Sequence, residues 1–482
     1  MKNLFVLLLG LLLMTWQLVA QQISFSRPQR VSRQTEEFRI VGKNSQGILI
    51  HQYGTRQNSL TAYRSDLNIA WSKPIPLEKK HEIVRVVSLD EDLMILYTEK
   101  VKRKNYLYAR MANAEMIWAT PAVLLDSVQR DPALSYTYEV DVSQNKSFVN
   151  IMRTNYDFGG LRDMDNILLR KDGSMVSHEV VKPDTKQLNS NVVVSNMGQV
   201  ILVSYQTRRD FFRANTQYRS VYITVLDPLR QRTERFTIED EKYRFNEAKF
   251  ALDHLNNRFV VAGFYAQGTN ETALGWFYST LDLTTLSLAK PILSSFELDY
   301  FKKNNLKSSA FNKTGIADLS ARQVVVRRDG GVLLVGEVSY TTRQTIAQNG
   351  FDMSGRTIGF SVNYYNEDVF SFSLQPDGSL LWANVVQKKQ YSEDDDAIYS
   401  SFGLMNRRHS VDLLFNQEIN YSTPIVGGAV SSSGSYKMVN LMSKQDLGIL
   451  LSLRNGKQVS AEEYVVPSFT RRGDFMLAKI NF

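Results

Sequence analysis

Short apolar runs alternate with polar turns along almost the whole chain, and one kind of turn recurs seven times. In it a strand-like run meets an Asp or Asn turn, and a second short run follows that often carries Trp or Val. Its instances are SDLNIAW at Asp66, NAEMIWA at Asn113, KDGSMVS at Asp172, LDPLRQR at Asp227, LDLTTLS at Asp282, QPDGSLLW at Asp377 and LRNGKQVS at Asn455. Gly and Asn accept positive φ and Pro presets a turn, so these dipeptides predict hairpins.

A second series of polar turns precedes the first in step with it. Each of these turns opens an alternating or apolar strand: SQGILIHQY, DEDLMILYTE, SQNKSFVNIM, NMGQVILVSY, LNNRFVVAGFY, RDGGVLLVGEVSY and RRHSVDLLF. Two series in step indicate one repeated unit of about four short strands, and a period near 45 to 60 residues of β structure is typical of propeller blades. Helical periodicity of useful length is nearly absent, which excludes a helical solenoid.

The pattern therefore predicts an all-β chain folded as a single β-propeller of about seven four-stranded blades over residues 21–482. The strand-like ends, ISFSRPQRV from Ile23 and DFMLAKINF ending at Phe482, have no blade of their own. We expect them to pair within the last blade and close the ring, and eight blades result if they form an extra unit. Two segments interrupt the period: residues 294–321, with a short helix predicted around Phe296, Tyr300 and Phe301, and residues 341–367, which are polar and Gly-rich.

The N-terminus has the order of a secretory signal peptide. Lys2 precedes an apolar run from Phe5 to Met14, and Ala20 supplies a small residue for cleavage, so we predict a signal peptide over residues 1–20. The run is about half the roughly 20 apolar residues that a spanning helix needs. We expect the mature chain to have no transmembrane helix.

Composition narrows the class of protein and its compartment. The 482 residues are 43% hydrophobic and 22% charged, which excludes disordered, collagen-like and coiled-coil chains. The absence of cysteine excludes disulfides, thiolate zinc sites and a cysteine nucleophile, and in an exported chain it favours a bacterial envelope. The formal charge of +8 is modest and the basic residues lie in dispersed pairs and triplets, so no nucleic-acid partner is predicted.

The region from Gly330 to Leu404 combines an apolar strand ending in Glu, a Tyr-rich hairpin, a DG turn followed by Trp, a Lys-x-Gln element and an acidic stretch before Tyr-Ser-Ser. The residues that carry these features are Glu337, Tyr364, Tyr365, Asp377, Gly378, Trp382, Lys389, Gln390 and Tyr399 to Ser401. In these features the region resembles a group of uncharacterised secreted proteins of Bacteroidota. The resemblance implies an exported protein of a Gram-negative envelope, periplasmic or outer-membrane associated or extracellular. It implies no catalytic residue.

Candidate binding residues lie in and beside the larger interruption. Tyr364, Tyr365 and Tyr391 offer aromatic faces that stack on sugar rings or anchor a protein partner, since tyrosine combines a large apolar area with a polar tip. Trp382 lies beside them and could bind in the same way, but Trp71 and Trp118 at matching positions favour a place for it in the core between blades. Glu337, at the end of its strand, is the one acid singled out for glycoside chemistry, and its alternative is a structural, lysine-paired carboxylate.

The chain carries little local evidence of catalysis or metal binding. The five histidines are scattered, and HExxH, GxSxG and phosphate-binding Gly-rich motifs are absent. The run Glu393, Asp394, Asp395 and Asp396 offers oxygen ligands to Ca²⁺ but lacks the spacing of an EF-hand loop, so a solvated acidic loop is the other interpretation. Asp163 and Asp165 are similarly ambiguous. No other cofactor is predicted.

Two hypotheses follow for function. The first is a non-catalytic propeller that acts as a binding platform in the bacterial envelope and docks a protein partner, such as an outer-membrane complex, through a rim insertion. The second is a carbohydrate-binding or carbohydrate-active propeller of the glycoside hydrolase or lyase type. The second requires Glu337 and the acids at 393–396 to face one cavity lined by aromatic side chains. The sequence leaves enzymatic activity open and favours its absence.

Overall fold

The computed structural model of the chain is an eight-bladed β-propeller, which confirms the predicted fold class. The structure describes residues 22–31, 35–54, 58–131, 133–157, 160–183, 188–207, 217–267, 272–347, 358–421, 423–442 and 448–482. The predicted signal peptide lies outside the described residues. Among those that are described, no helix has the length and apolar character to cross a membrane.

The strands follow one another with short connections. The first part of the chain forms β1 (Gln22–Phe25), β2 (Thr35–Asn44), β3 (Gly47–Gly54), β4 (Ser59–Tyr63), β5 (Ile69–Pro74), β6 (His81–Leu89), β7 (Asp92–Val101), β8 (Lys104–Ala112), β9 (Val123–Gln129), β10 (Ser135–Val142), β11 (Phe148–Asp157), β12 (Gly160–Arg170) and β13 (Met175–Val181). The middle part forms β14 (Leu188–Val194), β15 (Val200–Thr207), β16 (Gln217–Asp227), β17 (Arg232–Glu239), β18 (Tyr243–Asp253), β19 (Arg258–Gln267), β20 (Gly275–Asp282), β21 (Ser287–Leu288), β22 (Ile292–Ser295) and the helix α1 (Leu298–Lys303).

The last part forms β23 (Leu319–Val326), β24 (Val332–Ala347), β25 (Ile358–Leu374), β26 (Leu380–Val386), β27 (Gln390–Glu393), β28 (Gly403–Asn406), β29 (Ser410–Asn416), β30 (Ile425–Ser431), β31 (Tyr436–Met442), β32 (Ile449–Leu451), a short 3₁₀ helix (Leu453–Asn455), β33 (Lys457–Gln458), β34 (Glu463–Thr470) and β35 (Phe475–Asn481).

Each blade is an antiparallel sheet, and in blades 1 to 7 the main strands run in chain order from the axis of the ring to its rim. Blades 1, 2 and 3 are β2–β5, β6–β9 and β10–β13, and blade 7 is β28–β31. Blades 4 (β14–β17) and 5 (β18–β22) also pair with each other at Tyr218 and Phe245, and blade 6 (β23–β26) carries β27 as an additional strand. The antiparallel order places the turns between first and second strands, and between third and fourth strands, on one face of the ring. The turns between second and third strands lie on the opposite face.

Blade 8 combines both ends of the chain, in the order β32, β34, β35, β1. Gln22 to Phe25 pair antiparallel with Asn481 to Ala478, as predicted for ring closure. The count is therefore eight, which is the number expected if the terminal strands form an extra unit. The repeated turns indicate only seven blades because blade 8 takes its strands from both ends of the chain.

The last of the seven predicted turns is also wrong. LRNGKQVS around Asn455 forms the inner edge of blade 8, whereas the outer turn of blade 7 is Ser431 to Ser435. There the backbone N–H of Ser435 donates to Ser431 Oγ at 3.1 Å, so a serine takes the turn-capping role that Asp377 Oδ1 performs for Ser379 N–H at 3.0 Å in blade 6. The series based on Asp and Asn missed this turn for that reason.

The core lies between blades, where inward-facing strand residues of neighbours interdigitate. The predicted helix is present as α1, and its Phe301 is buried against Phe296, Phe370 and Phe372 of the cluster that joins blades 5 and 6. Trp382 is half-buried and packs against the cluster that joins blades 6, 7 and 8, in agreement with its interpretation as an inter-blade residue.

Candidate functional site

Blade 6 is longer than the other blades and brings the sequence-predicted residues into one region. Its strands β24 and β25 span 16 and 17 residues, and they remain paired from Val332 and Leu374 to Ala347 and Ile358. Strand β27 adds a third strand, with Asn363 to Asn366 opposite Glu393 to Gln390. We call the three-stranded part, residues 339–347, 358–367 and 390–393, the blade-6 extension. It corresponds to the predicted interruption at 341–367, of which residues 348–357 lie outside the described residues.

One face of the blade-6 extension carries a row of three tyrosines. Tyr340, Tyr365 and Tyr391 are direct cross-strand partners, one from each strand. The rings of Tyr340 and Tyr365 stack with centroids 4.6 Å apart and planes 12° apart, and those of Tyr365 and Tyr391 are 5.3 Å apart at 51°. Tyr391 ends the row, is 47% exposed and donates its hydroxyl to Asn363 Oδ1 at 3.0 Å. We call these three residues the tyrosine row.

Tyr364 and Tyr365, both predicted as binding residues, lie on opposite faces of the blade-6 extension. Because side chains alternate along a strand, Tyr364 points to the face opposite Tyr365, where its hydroxyl donates to Asp396 Oδ1 at 3.0 Å. Tyr340 takes the place next to Tyr365 and was missed by sequence reasoning. Burial, followed by the charge of Glu367, raises the pKa of Tyr340 to about 12, so the ring stays neutral at physiological pH.

Glu337 lies at the base of the blade-6 extension and is completely buried. Its Oε1 is 2.8 Å from Lys388 Nζ, and its Oε2 is 3.0 Å from Arg322 Nε and accepts the Ser401 hydroxyl at 2.7 Å. Burial alone would raise the pKa of Glu337, but the charges of Lys388 and Arg322 outweigh it and hold that pKa below its usual value. Glu337 is thus an ionised group that is paired with two cations and has no access to solvent.

Lys388 distributes its own charge over several neutral acceptors as well. Its Nζ donates to the Asn366 carbonyl at 2.8 Å and to Gln390 Oε1 at 2.9 Å. Burial lowers the pKa of Lys388, against the opposing effect of Glu337. Lys388 is therefore joined to β24 by its ion pair with Glu337. It is joined to β25 and the start of β27 by charge-assisted hydrogen bonds, which are stronger than neutral ones.

The segment that follows β27 is held by the same network. We call residues 394–402 the acidic loop. The backbone N–H of Ser401 donates to Gln390 Oε1 at 2.8 Å, and Asn416 of blade 7 donates its amide to the Tyr399 carbonyl at 2.8 Å and to the Leu451 carbonyl of blade 8 at 2.9 Å. Blades 6, 7 and 8 are therefore locked together beneath the blade-6 extension.

The four acids at 393–396 do not converge. Glu393 accepts from Ser361 Oγ, Asp394 accepts from the backbone of Val362, Asp395 accepts from the backbone of Ala397, and Asp396 accepts from Tyr364. Glu393, Asp394 and Asp396 are exposed, whereas Glu337 is buried below them. Each carboxylate thus caps a different local group, and a Ca²⁺ ion here stays a prediction.

One set of possible metal ligands does meet within the described part of the chain. Carboxylate oxygens of Asp126 and Asp165 and an imidazole nitrogen of His178 lie within 4.8 Å of one another. The guanidinium of Arg153 lies 3.4 Å from Asp126 Oδ2 and forms an ion pair with Asp165, and His178 Nε2 is 2.6 Å from Asp165 Oδ1. The arginine already supplies the positive charge of this cluster, which therefore fits a partly buried ion-pair network between blades 2 and 3.

Two carboxylates near the axis of the ring were not singled out by the sequence. Glu139 and Asp141 lie on β10, the innermost strand of blade 3, and accept backbone N–H groups of β14 in blade 4, from Val192 at 3.4 Å and Val194 at 2.7 Å. Burial raises the pKa of Glu139 to about 7 and that of Asp141 to about 6. Spacing of two residues on a strand is the only sequence signal, and it is too common to be selective.

These two groups should make the protein lose stability as pH rises. Their folded pKa values lie above the unfolded values, so the native state binds more protons between about pH 4 and 7, and the free energy of unfolding falls across that window. We expect Glu139→Gln/Asp141→Asn, which keeps both carbonyl acceptors, to be more stable than the natural chain at pH 8 by roughly 1–3 kcal/mol. At pH 4 the two proteins should match. Urea denaturation at both pH values measures this, and a constant difference at both would contradict it.

No protein-family model matches this chain, and no curated protein matches it. Solved structures with a similar overall path include prolyl oligopeptidase B from Galerina marginata, with 10% identity, a TM-score of 0.41, and coverage of 94% of this chain and 55% of that one. A protein from Lactobacillus plantarum has 11% identity, a TM-score of 0.39, and coverage of 87% and 95%.

A Synechocystis apocarotenoid oxygenase has 8% identity, a TM-score of 0.29, and coverage of 70% of this chain and 69% of that one. The chain spans about half the length of the prolyl oligopeptidase that it matches.

Proposed function

We propose that this protein is a non-catalytic binding propeller that docks a protein partner through the tyrosine row of the blade-6 extension. The observation that carries the proposal is the tyrosine row itself, three in-register aromatic rings on a three-stranded sheet that continues beyond the second-to-third-strand turns of the other blades. Tyrosines are enriched at the centres of protein interfaces because they bury large area at low entropic cost and keep a hydroxyl for hydrogen bonding.

The base of the blade-6 extension supports the same function. The pairing of Glu337 with Lys388, Arg322 and Ser401 holds the extension against the ring, and Asn416 ties the acidic loop to blades 7 and 8. A pre-ordered surface loses less entropy on binding than a flexible one. A rigid platform is what a docking subunit needs.

The carbohydrate-active alternative receives less support from this geometry. Glu337 is buried and paired with two cations, so it has no route to a sugar, and the acids at 393–396 cap local groups separately from it. Stacking of Tyr340 on Tyr365 also occupies ring faces that a sugar would need, which leaves Tyr391 as the open member of the tyrosine row. A protein partner uses such a row through ring edges and hydroxyls as well.

The proposal also includes the cellular compartment in which the protein acts. We propose export by the signal peptide at residues 1–20 and a site of action in the periplasm or at the outer membrane, with an outer-membrane complex as the partner. Support comes from the N-terminal pattern, the absence of cysteine and the resemblance of residues 330–404 to secreted Bacteroidota proteins.

The test is quantitative affinity purification of the tagged full chain from gently solubilised envelopes of its own bacterium, with mass spectrometry. We expect a stoichiometric membrane-protein partner whose recovery falls at least tenfold in Tyr391→Ser, since centrally buried tyrosines commonly contribute 2 kcal/mol or more. Tyr106→Ser is the matched control, because Tyr106 lies on blade 2, away from the blade-6 extension. Equal recovery with both variants, or no stoichiometric partner, would refute the docking function. Glycan-array binding that depends on Tyr391 would instead establish the carbohydrate-binding alternative.

A further inference from the structure

A cleft of about 630 Å³ lies between blades 6 and 7 on the face of the ring opposite the blade-6 extension. Its inner end is formed by the turns that follow β23 and β28, and its outer end by the turn between β30 and β31. Clefts of this size are typical of small-molecule sites. Its position separates it from the proposed docking surface.

The charge of the cleft comes from the same dipeptide in two neighbouring blades. Arg327 and Arg328 follow the last residue of β23, and Arg407 and Arg408 follow the last residue of β28, so the two pairs occupy equivalent positions. All four arginines line the cleft, and Asp329 is the one acid among its lining residues. Each of the two blades thus contributes a pair of arginines, and the cleft carries a net positive charge.

In each pair the first arginine has an acidic partner, whereas the second has none among the described residues. Arg327 Nε donates to Asp329 Oδ1 at 3.1 Å, and Arg407 Nη2 donates to Asp412 Oδ1 at 3.0 Å. Arg328 and Arg408 are exposed, and within the described part of the chain no carboxylate forms an ion pair with either. Two guanidinium groups on opposite sides of one cleft are thus available for an anion, and their planar donor forks match carboxylate and phosphate groups.

The remaining wall of the cleft combines an apolar part with the polar residues Asn406, His409, Ser410, Ser431 and Ser432. Leu381 is 48% exposed, and the half-buried Trp382 is fixed by its indole N–H, which donates to the Ser432 carbonyl of blade 7 at 2.9 Å. Val430 lies in the same lining. An apolar surface beside unpaired arginines favours a ligand that has an apolar body and an anionic group.

We propose that this cleft binds a small anionic organic molecule, with its carboxylate or phosphate group on Arg328 and Arg408 and its apolar part on Leu381 and Trp382. All ligands of this class have one carboxylate or phosphate group attached to an aromatic or aliphatic body. The site does not depend on the proposed docking function, because it uses other residues on the other face of the ring.

The test uses 8-anilinonaphthalene-1-sulfonate, an aromatic anion whose fluorescence reports binding, with the full chain. Three proteins are titrated: the natural chain, Arg328→Gln/Arg408→Gln, and the control Arg471→Gln/Arg472→Gln. The control removes an equally charged, exposed Arg-Arg pair from the turn between β34 and β35, outside the cleft. Competition with phenyl phosphate and with benzoate then shows whether the cleft prefers a phosphate or a carboxylate group. Competition with inorganic phosphate, which has no apolar part, shows how much the apolar wall contributes to binding.

We expect saturable binding that is at least tenfold weaker in Arg328→Gln/Arg408→Gln and unchanged in the control. Phenyl phosphate or benzoate should displace the dye at concentrations at least tenfold below those of inorganic phosphate, and Leu381→Ser should reduce this advantage. The proposal is overturned by non-saturable binding, by equal loss in both double variants, or by inorganic phosphate competing as well as the aromatic anions. Matching thermal melts of all variants establish that each is folded.

Discussion

Replacing Lys388 with methionine should destabilise the protein by about 3–5 kcal/mol, because Glu337 would keep its charge in a site closed to water. The carboxylate would retain Arg322 and Ser401 on Oε2 but lose the ammonium that lies 2.8 Å from Oε1. Lys388→Met should also release the Asn366 carbonyl and Gln390, so the acidic loop loses part of its support. Urea denaturation at pH 7 measures the change.

The double variant Glu337→Gln/Lys388→Met is the control that identifies the cause. If the loss comes from a buried carboxylate that has lost one of its two cations, the neutral pair should recover stability relative to Lys388→Met, since replacing a whole buried ion pair costs less than breaking one. Arg322 tolerates the change, because its side chain is 26% exposed. A double variant whose loss equals the sum of the single losses would show that the two groups act independently, contrary to this expectation.

Removing residues 22–31 should lower the free energy of unfolding by at least about 3 kcal/mol, because the ring would lose its closing strand. Strand β1 pairs along its whole length with β35, Leu477 N–H donates to Ser26 Oγ at 2.9 Å, and Gln29 and Phe475 exchange backbone hydrogen bonds at 2.9 Å each. The side-chain amide of Gln29 also reaches the Tyr63 hydroxyl of blade 1 at 2.6 Å. The truncation thus removes contacts within blade 8 and to its neighbour.

The appropriate reference is the chain that begins at residue 22 and keeps β1. We expect the shorter chain to melt at a lower temperature and to self-associate at high concentration, because β35 becomes an unpaired edge strand. A synthetic peptide of residues 22–31, added in trans, should restore the melting temperature. Identical melts of the two chains would show that β1 does not stabilise the ring.

Strand positions and most turns of this protein were predictable because they depend on local interactions. The turns at Asp66, Asp172, Asp282 and Asp377 are hairpin turns in the structure, each with its carboxylate accepting a backbone N–H two residues further on. That bond forms within four residues, so its sequence requirement is visible in the pattern. The turn of blade 7 uses Ser431 instead, and the eighth blade escaped the count because its strands come from both ends of the chain.

The sequence predicted which region of the chain forms the candidate site, but it did not predict how the side chains are arranged there. Tyr365, Tyr391 and Glu337 were named from the sequence, and their strands do lie together in blade 6. Tyr340 was missed because its alignment with Tyr365 depends on a β-bulge between Glu337 and Ser339 that shifts the register of the hairpin. Without this shift, Asn366 and not Tyr365 would lie opposite Tyr340.

By itself, the sequence determined the all-β repeat, the hairpin turns and the pairing partners at the ring closure, since alternation and turn chemistry act over a few residues. Only the tertiary structure decided the blade number, the burial of Glu337 against Lys388, the raised pKa values of Glu139 and Asp141, and the meeting of two Arg-Arg turns in one cleft. Arg328 and Arg408 are a whole blade apart in the chain. Contacts of this kind arise from the packing of neighbouring blades, so they cannot be predicted from the local sequence.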